Sequence, residues 1–182
     1  MTDPYDSTQD TATHINTVRV FLAAIIYRLE QRRLEHDASK LQSPEKEMYD
    51  EFTPKLRELT YGSDEYKASL AAMGPALKHH YENNSHHPEH YGYLECDICF
   101  ARHPRDYEGR CQSCNHGTFT FRPDVNGMSL LDLIEMLCDW KAAGMRHANG
   151  NLSESLKINK ERFEMTEQLA EIFENTVREM VW

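Results

Sequence analysis

Two groups of residues in this chain have the types and spacings that bind metal ions. The first is a pair of Cys-x2-Cys turns, Cys96 with Cys99 and Cys111 with Cys114, separated by eleven residues. Each turn can aim two thiolates at one ion, and two turns complete a tetrahedral shell of four sulfurs. A filled shell has no position for water, so the spacing predicts a structural zinc site rather than a catalytic one. Asp97, His103 and His116 lie nearby in sequence, but four thiolates suffice without them. The fifth cysteine, Cys138, falls in an apolar segment and reads as an ordinary buried thiol.

The second group is made of imidazoles and carboxylates. His79, His80, His86, His87 and His90 fall within twelve residues, a density that points to metal chemistry. His36-Asp37 directly follows a hydrophobic helical pattern, where a neutral nitrogen and a charged oxygen can both reach one divalent ion. Asp139 lies in a segment otherwise covered by Leu130, Leu131, Leu133, Ile134 and Leu137. A carboxylate there is costly to bury unless it meets a cation.

The elements that must position these groups are helices. Ile15, Val18, Leu22, Ile25, Ile26 and Leu29 recur at helical spacing between Thr13 and Arg33, with Thr11 or Thr13 as the N-cap. Ser43-Pro44-Glu45 starts a second helix over 44–59, with Pro54 a candidate bend. After a turn at Tyr61-Gly62-Ser63, Ser63 caps a helix from Asp64 to Asn83 that Gly74-Pro75 kinks or divides. Residues 84–93 read as a loop. Residues 94–124 read as a zinc-built module with two short hairpins, one carrying Thr118-Phe119-Thr120-Phe121. Asn126-Gly127 forms a turn, and Ser129 then caps a helix from Leu130 to about Arg146. Beyond the loop at Ala148–Asn151, Ser153 caps one long final helix from Glu154 to Met180. Its stripe of Leu156, Phe163, Leu169, Ile172, Phe173, Val177 and Met180 is core, and Met180-Val181-Trp182 is a candidate contact between copies, making a homo-oligomer possible.

Composition narrows the function classes. Forty per cent hydrophobic and 27% charged residues in 182 is the balance of a folded globular chain. The formal charge of -10 repels a polyphosphate backbone, which argues against nucleic acid as a partner. It does not exclude a small phosphorylated substrate, because a bound metal reverses the local field. No stretch approaches the ~18 apolar residues of a membrane span, and Met1–Asp10 is a polar tail without secretory features, so a cytoplasmic protein without a membrane partner is expected.

The series His36-Asp37-Ala38-Ser39-Lys40, then His86-His87-Pro88-Glu89-His90, then Asp139 resembles the HD-domain superfamily of metal-dependent phosphohydrolases. The runs HDASKL, NSHHPEH and MSLLDLIEMLCDWKAA are similar to a small HD-like family common in bacteriophages. Pro88 and His90 depart from the usual His-His-x-Glu segment. The resemblance implies an all-α, HD-like helical bundle formed by 11–93 and 125–182, with 94–124 as an inserted zinc ribbon and 1–10 as a flexible tail. It implies that His36, Asp37 and Asp139 bind a first metal, and that His80, His86 and His87 complete it or hold a second. His80 is preferred to His79 because it shares a helical face with Asn84. One or two catalytic divalent ions (Mn, Fe, Co, Mg or Zn) would join the structural zinc. Lys40 would contact the substrate phosphate, with Asn84 and Arg146 as further substrate contacts and His147 as an alternative to Arg146. Glu45 and Glu89 are candidates for proton transfer or a metal bridge. The superfamily's early histidine has only His14 as a counterpart: along one straight helix it is too far from His36 to share an ion, so it reads as a polar residue near a helix start, with a bend in the helix or donation from a neighbouring subunit as the alternatives.

The implied activity is hydrolysis of a nucleotide mono-, tri- or cyclic phosphate by metal-activated water. Two rival readings remain open. One is an HD-type di-iron oxygenase, and the other is a non-enzymatic zinc-ribbon interaction protein, such as a phage-encoded inhibitor of a host factor.

Overall fold

The computed structural model describes residues 5–60, 62–146 and 151–182. The expected features at Met1–Pro4, at Tyr61 and over 147–150, with His147 among them, lie outside the described residues. Elsewhere the helical periodicities become α1 (Thr8–Glu35), α2 (Glu45–Glu58), α3 (Asp64–Ala72) and α4 (Gly74–Asn83). They continue as α5 (Leu130–Gly144), α6 (Leu152–Arg162) and α7 (Glu167–Glu179). The chain divides into two compact units at the His36–Asp37 bond.

The first unit is α1. It begins ahead of the expected caps because no Gly or Pro interrupts Thr8–Thr13, and Asp10 suits the positive end of the helix dipole. Thr13 is therefore an interior residue, and its hydroxyl donates back to the Gln9 carbonyl at 2.9 Å. The helix is continuous, so His14 and His36 lie roughly 33 Å apart at about 1.5 Å per residue. Within this unit they share no ion.

In the second unit, α5 carries the core on one face. Met136, Leu137 and Trp140 are buried with Val125, Leu152, Leu156, Phe163, Met165, Phe173 and Val177. Trp140 stacks on Phe163 (ring centroids 6.2 Å apart) and meets Phe173 edge-on (5.9 Å). Each such burial contributes roughly 1.5–3 kcal/mol. Ser129 and Asp132 start α5 with a reciprocal capping box. On the other side of the unit, α4 packs against α2 and against a 3-10 turn at Ala38–Leu41. The expected helix over 64–83 is divided at Met73, with Ser63 Oγ accepting the Tyr66 N–H at 3.1 Å as its cap.

Several expectations are corrected. The long C-terminal helix is two helices, because the chain turns at Phe163–Thr166, where Glu164 adopts a left-handed φ of 48°. That turn drives Phe163 and Met165 into the core, and Thr166 then caps α7 on the Leu169 N–H. Asn151, not Ser153, caps α6. Cys138 is exposed rather than buried, because the core-facing side of α5 is taken by its neighbours Leu137 and Trp140. Ile172 and Met180 are likewise exposed.

The fold is mostly helical rather than purely so. Residues 93–122 hold one antiparallel sheet, not two hairpins: β1 (Tyr93–Cys96) lies between β2 (Arg102–His103) and β3 (Phe119–Arg122). Leu94 faces His103 on one side and Phe121 on the other. Gly92 is required at its position, because a Cβ there would collide with the Phe121 ring and approach the Arg122 carbonyl at 2.9 Å. Among the described residues no helix is long and apolar enough to cross a membrane.

Candidate metal centre

The centre is assembled from short, local reasons. Asp37 opens the 3-10 turn at Ala38–Leu41 with φ 55°, a left-handed conformation that Asp tolerates better than most residues. This sharp reversal fixes where its carboxylate projects, and backbone strain of this kind concentrates at functional sites. Helix α4 contributes His79 and His80 near its end. The chain then leaves the helix at Asn84 and delivers His86 and His87 just before a 3-10 turn at Pro88–Tyr91. Helix α5 presents Asp132, Glu135 and Asp139, whose spacing places all three on one face.

The ligand atoms of Asp37, His80, His86 and His87 all lie within 4.8 Å of one another. His80 Nε2 is 3.5 Å and His86 Nε2 is 3.4 Å from Asp37 Oδ1, and the Nε2 atoms of His80 and His87 are 2.8 Å apart. With metal–nitrogen bonds of about 2.0–2.1 Å, a tetrahedral shell has edges of about 3.3–3.4 Å. The donor set therefore fits one divalent ion. Carboxylate oxygens of Asp37 and Asp139 also come within 4.8 Å of each other. Glu135, absent from the expectations, lies 3.2 Å from His86 Nδ1. Its signal was the four-residue spacing to Asp139 on the same helical face.

Carboxylates only accept hydrogen bonds, so a His86 ring between Glu135 and Asp37 is either doubly protonated or aims Nε2 at a metal. Burial lowers the His86 pKa, but the bonds to Asp37 and Glu135 outweigh it and raise the net value. Burial, reinforced by Lys40, takes His80 down to about 4, and burial with the neighbouring His86 and His80 takes His87 well below the usual range. Two of three rings are thus neutral at physiological pH, as metal ligands must be. Burial also raises the Tyr49 hydroxyl, followed by the charge on Asp37.

The other expected residues have varied placements. Lys40 Nζ pairs with Asp37 Oδ2 at 2.5 Å and lies 4.9 Å over the Tyr49 ring, beside the cluster. Glu45 is fully buried, with its carboxylate on the Nδ1 atoms of His79 (2.7 Å) and His80 (2.9 Å). Asn84 donates to Ser39 Oγ and to the His80 carbonyl, both at 2.8 Å, so its amide braces the protein rather than facing a substrate. Glu89 stands outside the cluster, accepting from Arg162 at 2.6 Å. Arg146 is exposed just past α5. His36 ends the first unit at the C-terminus of α1, where its N–H donates to the Arg32 carbonyl at 2.7 Å.

A clamp from the first turn of α5 holds the histidine segment. Asp132 accepts from Ser85 Oγ (2.6 Å), Tyr91 OH (2.9 Å) and the Ser129 N–H (2.8 Å). Burial would raise its pKa, but the Ser129 and Ser85 bonds dominate and hold the carboxyl well below its usual value. Asp132→Asn is expected to cost about 1.5–3 kcal/mol in urea unfolding at pH 7, the worth of a hydrogen bond to a charged group. Because the folded pKa is depressed, this stability is present above the unfolded value of about 3.9 and lost as pH falls below it. The gap between wild type and Asn variant should shrink on acidification, and a gap that widens would refute the assignment.

The four cysteines also come together, with Cys96 and Cys114 sulfurs 3.5 Å apart and Cys99 and Cys111 sulfurs 3.4 Å apart. All four are free thiols close enough to hold one metal ion, for which a tetrahedral thiolate shell at bonds of about 2.3 Å has edges of about 3.8 Å. Buried His103 places Nε2 3.4 Å from Cys111 Sγ, behind the shell.

A model described as a family of unknown function, DUF5662, matches residues 3–181. No curated protein and no solved structure matches the chain.

Proposed function

The chain belongs to the DUF5662 family, and on that premise we propose that it is a metal-dependent phosphohydrolase acting on a nucleotide mono-, tri- or cyclic phosphate. The observation that carries this reading is the meeting of Asp37 Oδ1 with the Nε2 atoms of His80 and His86, each ring backed by a carboxylate on Nδ1. Such a point of convergent acceptors is a cation site. The resemblance of the His36-Asp37, His86-His87 and Asp139 segments to HD-domain enzymes supports the same reaction class.

In this reading Asp37, His80, His86 and His87 hold a divalent ion, with Asp139 as a further ligand. A divalent ion held there supplies Lewis-acid polarisation of a phosphoryl oxygen and lowers the pKa of water toward about 7. The chain's own residues do the rest. Acids outnumber bases around the site, with Asp37, Glu45, Glu135 and Asp139 against Lys40, so the field favours a cation before any substrate arrives. Lys40 offers its ammonium to a phosphate oxygen, and the Tyr49 ring beneath it limits its freedom. The four cysteines hold a structural zinc.

The test is metal content together with turnover. Protein reconstituted separately with Mn, Co, Fe and Mg is expected to bind a divalent ion beyond the one held by the cysteines. It should release phosphate from, or open the phosphodiester of, at least one member of a nucleotide panel. A single ion per chain and no turnover with any metal would overturn the reading. Oxygen consumption by the iron-loaded form, without phosphate release, would instead establish the oxygenase.

A further inference from the structure

Glu45 is the first residue of α2 and has no exposed surface, yet among the described residues no Lys or Arg pairs with it. Its partners are the Ser39 hydroxyl at 3.0 Å and two successive imidazoles, His79 Nδ1 at 2.7 Å and His80 Nδ1 at 2.9 Å. A carboxylate isolated in this way is costly unless each oxygen receives a donor. The carboxylate cannot donate, so the proton of the His80 contact is on Nδ1. A neutral His80 then has its lone pair on Nε2, which lies 3.5 Å from Asp37 Oδ1.

We propose that Glu45 is a positioning residue of the metal centre: it fixes the tautomer and ring direction of His80 so that Nε2 faces the ion. This inference rests on the metal-centre reading above. Glu45 lies on the far side of the His80 ring from the convergent ligand atoms and without access to solvent, so neither the bridging nor the proton-transfer role expected from the sequence fits it. The second oxygen explains the His79-His80 pair. His79, half-exposed on the same helix, holds Oε1 and thereby keeps Oε2 aimed at His80. Glu135 repeats the arrangement on His86, with Oε1 at 3.2 Å from Nδ1 and Nε2 facing Asp37. A carboxylate behind a ligand histidine also raises its basicity, and losing such a partner typically costs 10–100-fold in metal affinity.

The experiment measures Mn(II) affinity by electron paramagnetic resonance of the free ion, using full-length protein whose cysteine site is already filled with zinc. Mn(II) prefers oxygen and nitrogen donors and leaves thiolate-bound zinc in place. Glu45→Gln keeps an acceptor for His80 Nδ1–H and removes the charge. Its affinity is expected to fall about 10-fold, with zinc content and near-ultraviolet circular dichroism unchanged, and Glu45→Ala is expected to lose up to about 100-fold. Wild type without Mn(II) binding would sink the metal centre itself. Wild type that binds, with Glu45→Gln binding equally well, would sink only the role of Glu45. Should the variants fail to fold, long-range proton–nitrogen spectra of the wild type decide the matter: His80 protonated on Nδ1 supports the role, and His80 protonated on Nε2 refutes it.

Discussion

Asp37→Asn should eliminate turnover and weaken divalent-metal binding at the histidine centre by more than about 100-fold, exceeding the usual loss for an outer partner. The substitution is chosen for its backbone. Asp37 adopts φ 55°, a conformation that Asn tolerates as well as Asp, so the 3-10 turn at Ala38–Leu41 should survive. What disappears is one negative charge at the point where His80 and His86 converge. Its ion pair with Lys40 goes too, freeing an ammonium beside the site and adding to repulsion of an incoming cation. Metal titration and phosphate release, measured with a thermal melt as control, check this result. An Asn variant that retains full metal affinity would show that the convergence of Asp37 with the imidazoles is not a metal site.

The second large effect concerns the cysteines. If they hold zinc, removing it by Cys111→Ser or by a strong chelator forfeits binding energy of the order of 10–16 kcal/mol that small zinc modules draw on to fold. The three strands of the sheet over 93–122 are short, β2 having only two residues, and few of its residues are buried, so without the metal rapid amide exchange is expected throughout it. The consequence should spread. The Asp124 N–H donates to the Pro88 carbonyl at 3.0 Å and Arg105 to the Glu89 carbonyl at 3.3 Å, so the insert braces the turn that follows His86 and His87. Asp132 braces the same segment from α5 and would remain. Affinity at the histidine centre is therefore expected to fall about 10-fold rather than vanish. Unchanged exchange in 93–122 after complete metal removal would show that the cysteines stabilise nothing.

Much of this was legible in the chain itself. Cys-x2-Cys spacing is a local property, and both pairs do meet. The caps at Ser63 and Ser129 and the break at Gly74-Pro75 depend only on neighbouring residues, and each appears where its chemistry places it. The C-terminal break was not legible, because Phe163 continues the apolar stripe at helical spacing, while the core draws both Phe163 and Met165 inward through a turn. The exposure of Cys138 was hidden for a similar reason: an apolar segment does not reveal which of its faces finds a partner.

The centre divides the same way. Residue type and clustering singled out Asp37, His80, His86, His87 and Asp139 as candidate ligands. What each of them touches depends on packing between distant segments. Glu45 and Glu135 became partners of His80 and His86 because α2 and α5 bring their carboxylates to the Nδ1 edges of those rings, across 35 and 49 positions of chain. Asn84 turned inward, and Glu89 was taken by Arg162. Residue type fixes which atoms can donate, accept or coordinate, whereas the direction of a lone pair depends on what lies behind the ring, and that is set by packing between segments distant in sequence.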